Sequence, residues 1–285
     1  FSKLAPRVIT LSMLEQLGSM DIEEYMDFLH AYSRENRGEM VNTERGLTRK
    51  LASLKSFYNY FFRMERISTN PAALVQLPKI HEKEIIRLEI DEVARLLLEV
   101  AGGDKLTQKQ KAYHEKTQVR DLAIMTLLLG TGLRVSECVG LNITDIDFGV
   151  DGLRVHRKGG KEVIVYFGEE VEQALREYLR ERKEIVTAEG DEDALFLSMQ
   201  KKRINVRSVE NLVKKYAGTA TPLKKITPHK LRSTYGTNLY HETYDIYLVA
   251  DVLGHSDVNT TKKHYAAQAD ERRRSARNAV KLRNE

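Results

Sequence analysis

Residues 152–167 read GLRVHRKGGKEVIVYF. Apolar and polar side chains alternate on both sides of Lys158-Gly159-Gly160, which gives two β-rich runs joined at a glycine turn, the signature of a hairpin. Outward from it the spacing becomes helical. Apolar residues recur at intervals of three and four over 91–100, 119–129 and 135–141 before the hairpin, and over 170–186, 206–217, 228–241, 245–253 and about 259–267 after it. A polar, basic helix is expected from 270 to 284. The fold class is therefore mainly α with one small antiparallel β-sheet.

Two further amphipathic stretches open the chain. Residues 11–36 place Ile22, Tyr25, Met26, Phe28 and Leu29 at helical spacing, with Asp21 as a candidate cap. Residues 43–66 turn Leu47, Leu51, Leu54, Phe57, Tyr58 and Phe61 inward and keep Arg45, Arg49, Lys50 and Lys55 outside, and Asn70-Pro71 then halts the helical pattern. The run PKIHEKEIIR is polar and aperiodic, so residues 79–88 read as a linker between a helical domain at 1–78 and a second domain at 89–285. At 285 residues, two domains also suit the length.

A hydrophobic content of 41% with 31% charged residues describes an ordered globular chain and excludes collagen-like and Pro-rich disordered classes. One cysteine, Cys138, excludes an intramolecular disulfide and a Cys-cluster zinc site, and it suits a reducing, cytoplasmic setting. No apolar run approaches the roughly 20 residues of a membrane span, and no signal-peptide pattern leads the chain. The chain opens on Phe1 rather than Met, so an upstream segment is expected to be missing.

A net charge of +5 hides a strong asymmetry. Residues 201–232 carry ten basic side chains and one acidic one, whereas 81–199 carry 17 basic and 24 acidic. A basic stretch of that density is the footprint of a protein that neutralises backbone phosphates, or else a solvated helix face.

That stretch ends in Thr227-Pro228-His229-Lys230-Leu231-Arg232. Thr at the cap and Pro at the first helical position put His229 and Arg232 on one face of a helix start, a place suited to a phosphate oxygen. A cap and an ion pair would explain them equally well. Val252-Leu253-Gly254-His255 ends a helix on glycine and fixes His255 at the turn, either as a pocket residue or as a core histidine. Gly130-Thr131-Gly132-Leu133-Arg134 sets an arginine at a helix start, with Glu137 placed to hold it or merely to pair with it at the surface. Lys158 sits at the hairpin turn, aimed into a groove or simply solvated. Tyr265 follows Thr260-Thr261 downstream. A tyrosine nucleophile needs concentrated positive charge, because its unperturbed pKa is near 10. With no metal-ligand cluster and no nucleotide-binding glycine loop, the set suits metal-free phosphoryl transfer to a tyrosine.

Taken together, TGLRVSE, RKGGKEVIVYFG, HKLR, LGH and the following TT…Y resemble the tyrosine recombinases, the family of phage integrases, Xer recombinases and integrases of conjugative transposons. The likeness spans about residues 10–267, and the N-terminal part is similar to that family's SAM-like core-binding domain. The resemblance implies a core-binding domain followed by a catalytic domain. It also implies site-specific cleavage and rejoining of duplex DNA through a 3′-phosphotyrosyl intermediate, without ATP or metal. In that reading Arg134 and Arg232 hold the scissile phosphate, and Tyr265 attacks it. Lys158, with Lys161 as its rival, protonates the leaving 5′-oxygen; His229 moves the nucleophile's proton, His255 binds the phosphate, and Glu137 supports. Tyr265 stands ten residues after His255, one more than the family's usual separation.

The implied partners are recombination sites in double-stranded DNA, further copies of the chain in a tetramer joined by the C-terminal tail, and an accessory directionality factor. Arg45, Lys50, Lys55, Lys201, Lys202, Arg203 and Arg207 are the expected DNA contacts. A mobile-element integrase is the leading role. Chromosome-dimer resolution of the Xer type, a type IB topoisomerase and a non-enzymatic DNA-binding protein are the alternatives.

Overall fold

The computed structural model describes residues 10–31, 42–77, 86–157, 159–255 and 258. The chain divides into two compact units, Phe1–Glu84 and Ile85–Glu285.

In the first unit, the expected helix over 11–36 is two helices, α1 (Leu11–Gln16) and α2 (Ser19–Ala31). The break falls at Leu17 and Gly18, where the Asp21 carboxylate accepts the Gly18 N–H at 2.7 Å and starts α2. The end of the expected helix, beyond Ala31, lies outside the described residues. A longer helix, α3 (Glu44–Arg63), is capped by Thr43, and the short α4 (Pro71–Leu74) is capped by Asn70 with Pro71 at its first position. The core gathers Leu14, Ile22, Met26, Leu29, Leu47, Leu51, Tyr58, Ile67, Ala72 and Val75. Phe57, expected inside, is exposed, and so are Tyr25 and Phe28 of the apolar pattern over 11–36. They lie beside the stripes 22/26/29 and 47/51/58, and a helix in so small a bundle buries one stripe only.

The second unit contains α5 (Ile90–Gly102), α6 (Gln108–His114), α7 (Gln118–Thr131), α8 (Val135–Gly140) and a short 3-10 turn. A three-stranded antiparallel sheet follows, in the order β1 (Ile146–Asp147), β2 (Gly152–Arg157), β3 (Lys161–Tyr166). The hairpin pairs Leu153 with Val165 and Val155 with Val163, and turns through Gly159 and Gly160, both at positive φ. The two-residue β1 is too short to leave an alternation in the sequence. Then come α9 (Glu169–Lys183), α10 (Val206–Ala220), α11 (Pro228–Thr243) and α12 (Ile246–Leu253). Leu88, placed by its sequence in the linker, is 1% exposed and donates its N–H to Thr234 Oγ1 of α11 at 3.0 Å.

The axis of this unit is α7, whose residues Ala123 through Leu128 are all buried. A helix apolar on every side has to be enclosed, and α5, α9 and α11 pack around it. The contact with α9 is so close that a Cβ on Gly130 would overlap Val171. The other end of α7 carries a buried polar knot. Asp121, 1% exposed, accepts hydrogen bonds from Arg120, Thr117, Lys215 and Tyr216, and Tyr216 meets His114 at 3.0 Å. Burial lowers the Lys215 pKa and raises that of the Tyr216 hydroxyl.

Removing the central charge leaves two cations without their partner. Asp121→Asn is expected to lower stability by about 3–5 kcal/mol, checked by urea unfolding. The sole thiol lies in this same core. Burial pushes Cys138 up to about 12, so a thiol reagent at pH 8 should label the native protein far more slowly than the urea-unfolded chain.

Candidate active site at two helix ends

Of the three described helices that end on left-handed glycines, α5, α7 and α12, two converge here: α7 stops on Gly132 at φ 64° and α12 on Gly254 at φ 60°. These ends leave backbone carbonyls unpaired and concentrate negative partial charge. At both, the positive φ favours glycine, and an added Cβ would also meet a neighbour. A Cβ on Gly132 would meet the Tyr235 ring at 2.5 Å, and one on Gly254 would overlap the Arg157 guanidinium. The unpaired carbonyls draw in arginines from other elements. Arg232, in the second turn of α11 and 5% exposed, donates Nη1 to the Gly132 carbonyl at 2.6 Å and Nη2 to the Leu253 carbonyl. Arg134 donates Nη2 to the Gly254 carbonyl at 3.1 Å and Nη1 to Glu137 Oε1 at 2.7 Å.

The Arg134–Glu137 pair is also a helix cap. Arg134 is the N-cap of α8 with extended backbone, and Glu137 takes the Arg134 N–H on its second oxygen at 2.8 Å. The Glu137 side chain is 6% exposed and the Arg134 side chain 42%, so the carboxylate is sealed beneath a guanidinium whose outer edge stays open. His255 directly follows Gly254, and its N–H closes on the Ala250 carbonyl at 2.9 Å, which fixes the turn that carries it. His229 is exposed at the start of α11, three residues before Arg232.

The structure thus brings Arg134, Glu137, Arg232 and His255 to the Leu253–Gly254 turn, and puts His229 on the helix of Arg232. Lys158 and Tyr265 lie outside the described residues. The rival lysine, Lys161, is exposed at the first position of β3, opposite Arg157.

One residue of this cluster was missed by the sequence reading. Arg157 donates Nη2 to the Val252 carbonyl at 2.8 Å and Nη1 to the Asp251 carbonyl at 3.4 Å. The signal was present: Leu153, Val155 and Arg157 share one face of β2, so an arginine occupies an inward position of a half-buried strand.

The expected DNA contacts have varied surroundings. Arg203 is turned inward, where it donates to the Val139 and Leu141 carbonyls and to Asn142 Oδ1 and ties the end of α8 to the chain before α10. Lys50 bonds Asn42 at 2.6 Å, Lys55 reaches the Ala73 carbonyl at 3.3 Å, and Arg207 pairs with Glu210. Arg45, Lys201 and Lys202 are exposed.

Guanidinium groups held in advance of any ligand belong to a class of arrangement that can bind an anion such as a phosphate and stabilise charge gained in a transition state. Comparison with known proteins gives that class its family. Residues 87–272 match the phage integrase family. Tyrosine recombinase XerC of Caldanaerobacter subterraneus subsp. tengcongensis is 38% identical over 89% of this chain, which spans 66% of that relative. Tyrosine recombinase XerD of Oceanobacillus iheyensis is 33% identical over 84% of this chain and 75% of its own length. Among solved structures, XerA recombinase aligns with a TM-score of 0.57 at 28% identity, over 92% of this chain and 85% of that one. The Tn1549 transposon integrase, solved with circular intermediate DNA, shares the fold with a TM-score of 0.67 at 22% identity, over 90% of this chain and 86% of that one. The chain belongs to the phage integrase family, the tyrosine recombinases, whose members cleave DNA and rejoin it.

Glu137→Gln keeps the shape of the cap but removes the charge that holds Arg134. Charge-assisted bonds contribute about 1.5–3 kcal/mol, so strand cleavage in a single turnover should slow by roughly 10-fold to 100-fold with little change in DNA affinity.

Proposed function

We propose that the chain is a site-specific recombinase of a mobile element, and that it integrates and excises that element with Tyr265 as nucleophile. The supporting observation is the pair Arg134 and Arg232, both anchored on the turn at Leu253 and Gly254. The arginines hold the non-bridging oxygens of one phosphate. The Tyr265 hydroxyl oxygen forms a new bond to phosphorus while the bond to the 5′-oxygen breaks. The tyrosine proton passes to His229, the leaving oxygen takes a proton from Lys158, and His255 donates a hydrogen bond to the phosphate. Attack by a 5′-hydroxyl on the 3′-phosphotyrosine then reverses the step on a new partner strand. One phosphodiester is exchanged for one phosphotyrosine, so no nucleotide is consumed.

In this reading the 201–232 region and the outer face of α3 supply cations for the DNA backbone, four protomers act together, and the tail beyond Asp270 docks on a neighbour. Chromosome-dimer resolution is the second reading, favoured by the XerC and XerD names of relatives at 38% and 33% identity. The two differ in substrate: the ends of the element, or an inverted-repeat site in the host chromosome.

The test uses nicked duplex DNA carrying either junction, so that cleavage traps the protein. A covalent protein–DNA band resistant to detergent is expected in EDTA and without nucleotide. Tyr265→Phe should abolish it, and Arg134→Ala should reduce it by about 100-fold to 1,000-fold, the effect of losing one preorganised donor. An adduct formed by Tyr265→Phe would assign the nucleophile elsewhere, and normal cleavage by Arg134→Ala would remove the arginine reading altogether.

A further inference from the structure

We propose that Arg157 is a positioning residue for the cleavage step, acting through Glu137 on Arg134. The proposal rests on the reading of Arg134 as the phosphate-holding arginine. Its starting point is an anomaly. The Arg157 side chain is 14% exposed, and its Nε is buried with no hydrogen-bond partner among the described residues. A buried guanidinium N–H without a partner is destabilising, so its retention in a folded protein needs a reason.

The geometry supplies one. The Arg157 Nε lies 3.9 Å from Glu137 Oε1, the same oxygen that Arg134 Nη1 contacts at 2.7 Å. That gap is about 1 Å longer than an ordinary N–H···O bond. A single carboxylate oxygen therefore stands between two guanidiniums, one with an open outer edge and one held at its far end on backbone. The η nitrogens of Arg157 donate to the Val252 carbonyl at 2.8 Å and, more weakly, to the Asp251 carbonyl at 3.4 Å, which couples this arginine to the last turn of α12. Gly254, having no Cβ, leaves the guanidinium its place, since a Cβ there would overlap it. The consequence is mechanical and electrostatic together. The hairpin, the end of α12 and the Glu137 carboxylate are linked through one side chain, and a small inward shift would give the orphan Nε its partner while Arg134 closes on a phosphate. Such tightening is common when a site passes from its empty form to the reacting complex.

The arrangement separates positioning from simple stability. A residue that only glued β2 to α12 would be indifferent to the charge on Glu137. A residue acting through that carboxylate loses its effect when the charge is gone. The experiment is a double-mutant cycle of Arg157→Ala and Glu137→Gln, read as the single-turnover rate of covalent adduct formation on pre-bound nicked DNA, with DNA affinity and thermal unfolding measured beside it.

Arg157→Ala is expected to slow cleavage by about 100-fold, as a displacement of about 1 Å at a reacting centre does, while DNA affinity changes by less than about 3-fold. In the Glu137→Gln background the same substitution should cost less than about 5-fold, because both changes act on one carboxylate. Arg157→Gln keeps an amide donor for the α12 carbonyls but carries no charge toward Glu137. It should fold normally and still cleave slowly, which covers the case in which the alanine variant fails to fold. Cleavage by Arg157→Gln at the parent rate overturns the proposal, and so does a loss that multiplies in full in the double variant. A normal Arg157→Gln beside a crippled Arg134→Ala refutes the positioning role alone, whereas normal cleavage by Arg134→Ala removes the arginine reading and this proposal with it.

Discussion

The second unit is organised by guanidinium groups seated on carbonyl oxygens at helix ends. Each of α7 and α12 stops on a glycine at positive φ, and each stop exposes carbonyls that no further turn of helix can satisfy. Arg232 bridges the two stops, Arg134 reaches the second from α8, and Arg157 reaches the turn before it from the sheet. Five elements, α7, α8, β2, α11 and α12, are therefore joined at one place by guanidinium groups. Cations that would repel one another in an apolar pocket are tolerated here because the helix ends are negative.

Such a site needs a stiff support, and α7 provides it. Its middle is enclosed by α5, α9 and α11, and Gly130 lets α9 approach until the side chain of Val171 fills the space above it. Its N-terminal end is fixed by the knot around Asp121, where Lys215 and Tyr216 of α10 are bound to the first turn of α7. The helix that presents Gly132 is thus held at both ends, and the arginines bound to its cap have little room to wander. Preorganisation of this kind is how fixed dipoles become effective in a transition state, since nothing has to reorient when charge develops.

Much of the site could be read from residue order. Gly132 and Gly254 announced helix ends, Thr227-Pro228 announced the start of α11, and the spacing of His229 and Arg232 put both on one helix face. Glu137 was legible as the partner of Arg134 because a residue three positions into a helix can fold back on the N-cap. Arg157 escaped because its neighbours Lys158, Gly159 and Gly160 draw attention to the turn, and its partners lie about ninety residues away in α12. Arg203 went the other way. Within a run of basic residues it looks like a surface cation, yet its fork is committed to carbonyls around the end of α8. Composition gives both arginines the same meaning, and only their distant partners separate them.

The sequence by itself determined the class of fold, the hairpin, the caps and the identities of the charged groups, because these depend on local periodicity and on backbone preferences of a few consecutive residues. The tertiary structure decided which arginines face which carbonyls, which aromatic residues of α2 and α3 remain outside the first core, and that a two-residue strand completes the sheet. Those outcomes depend on what else arrives at the same point in space. A guanidinium becomes part of a site only when two helix ends and a carboxylate converge on it, and no stretch of neighbouring residues encodes that convergence.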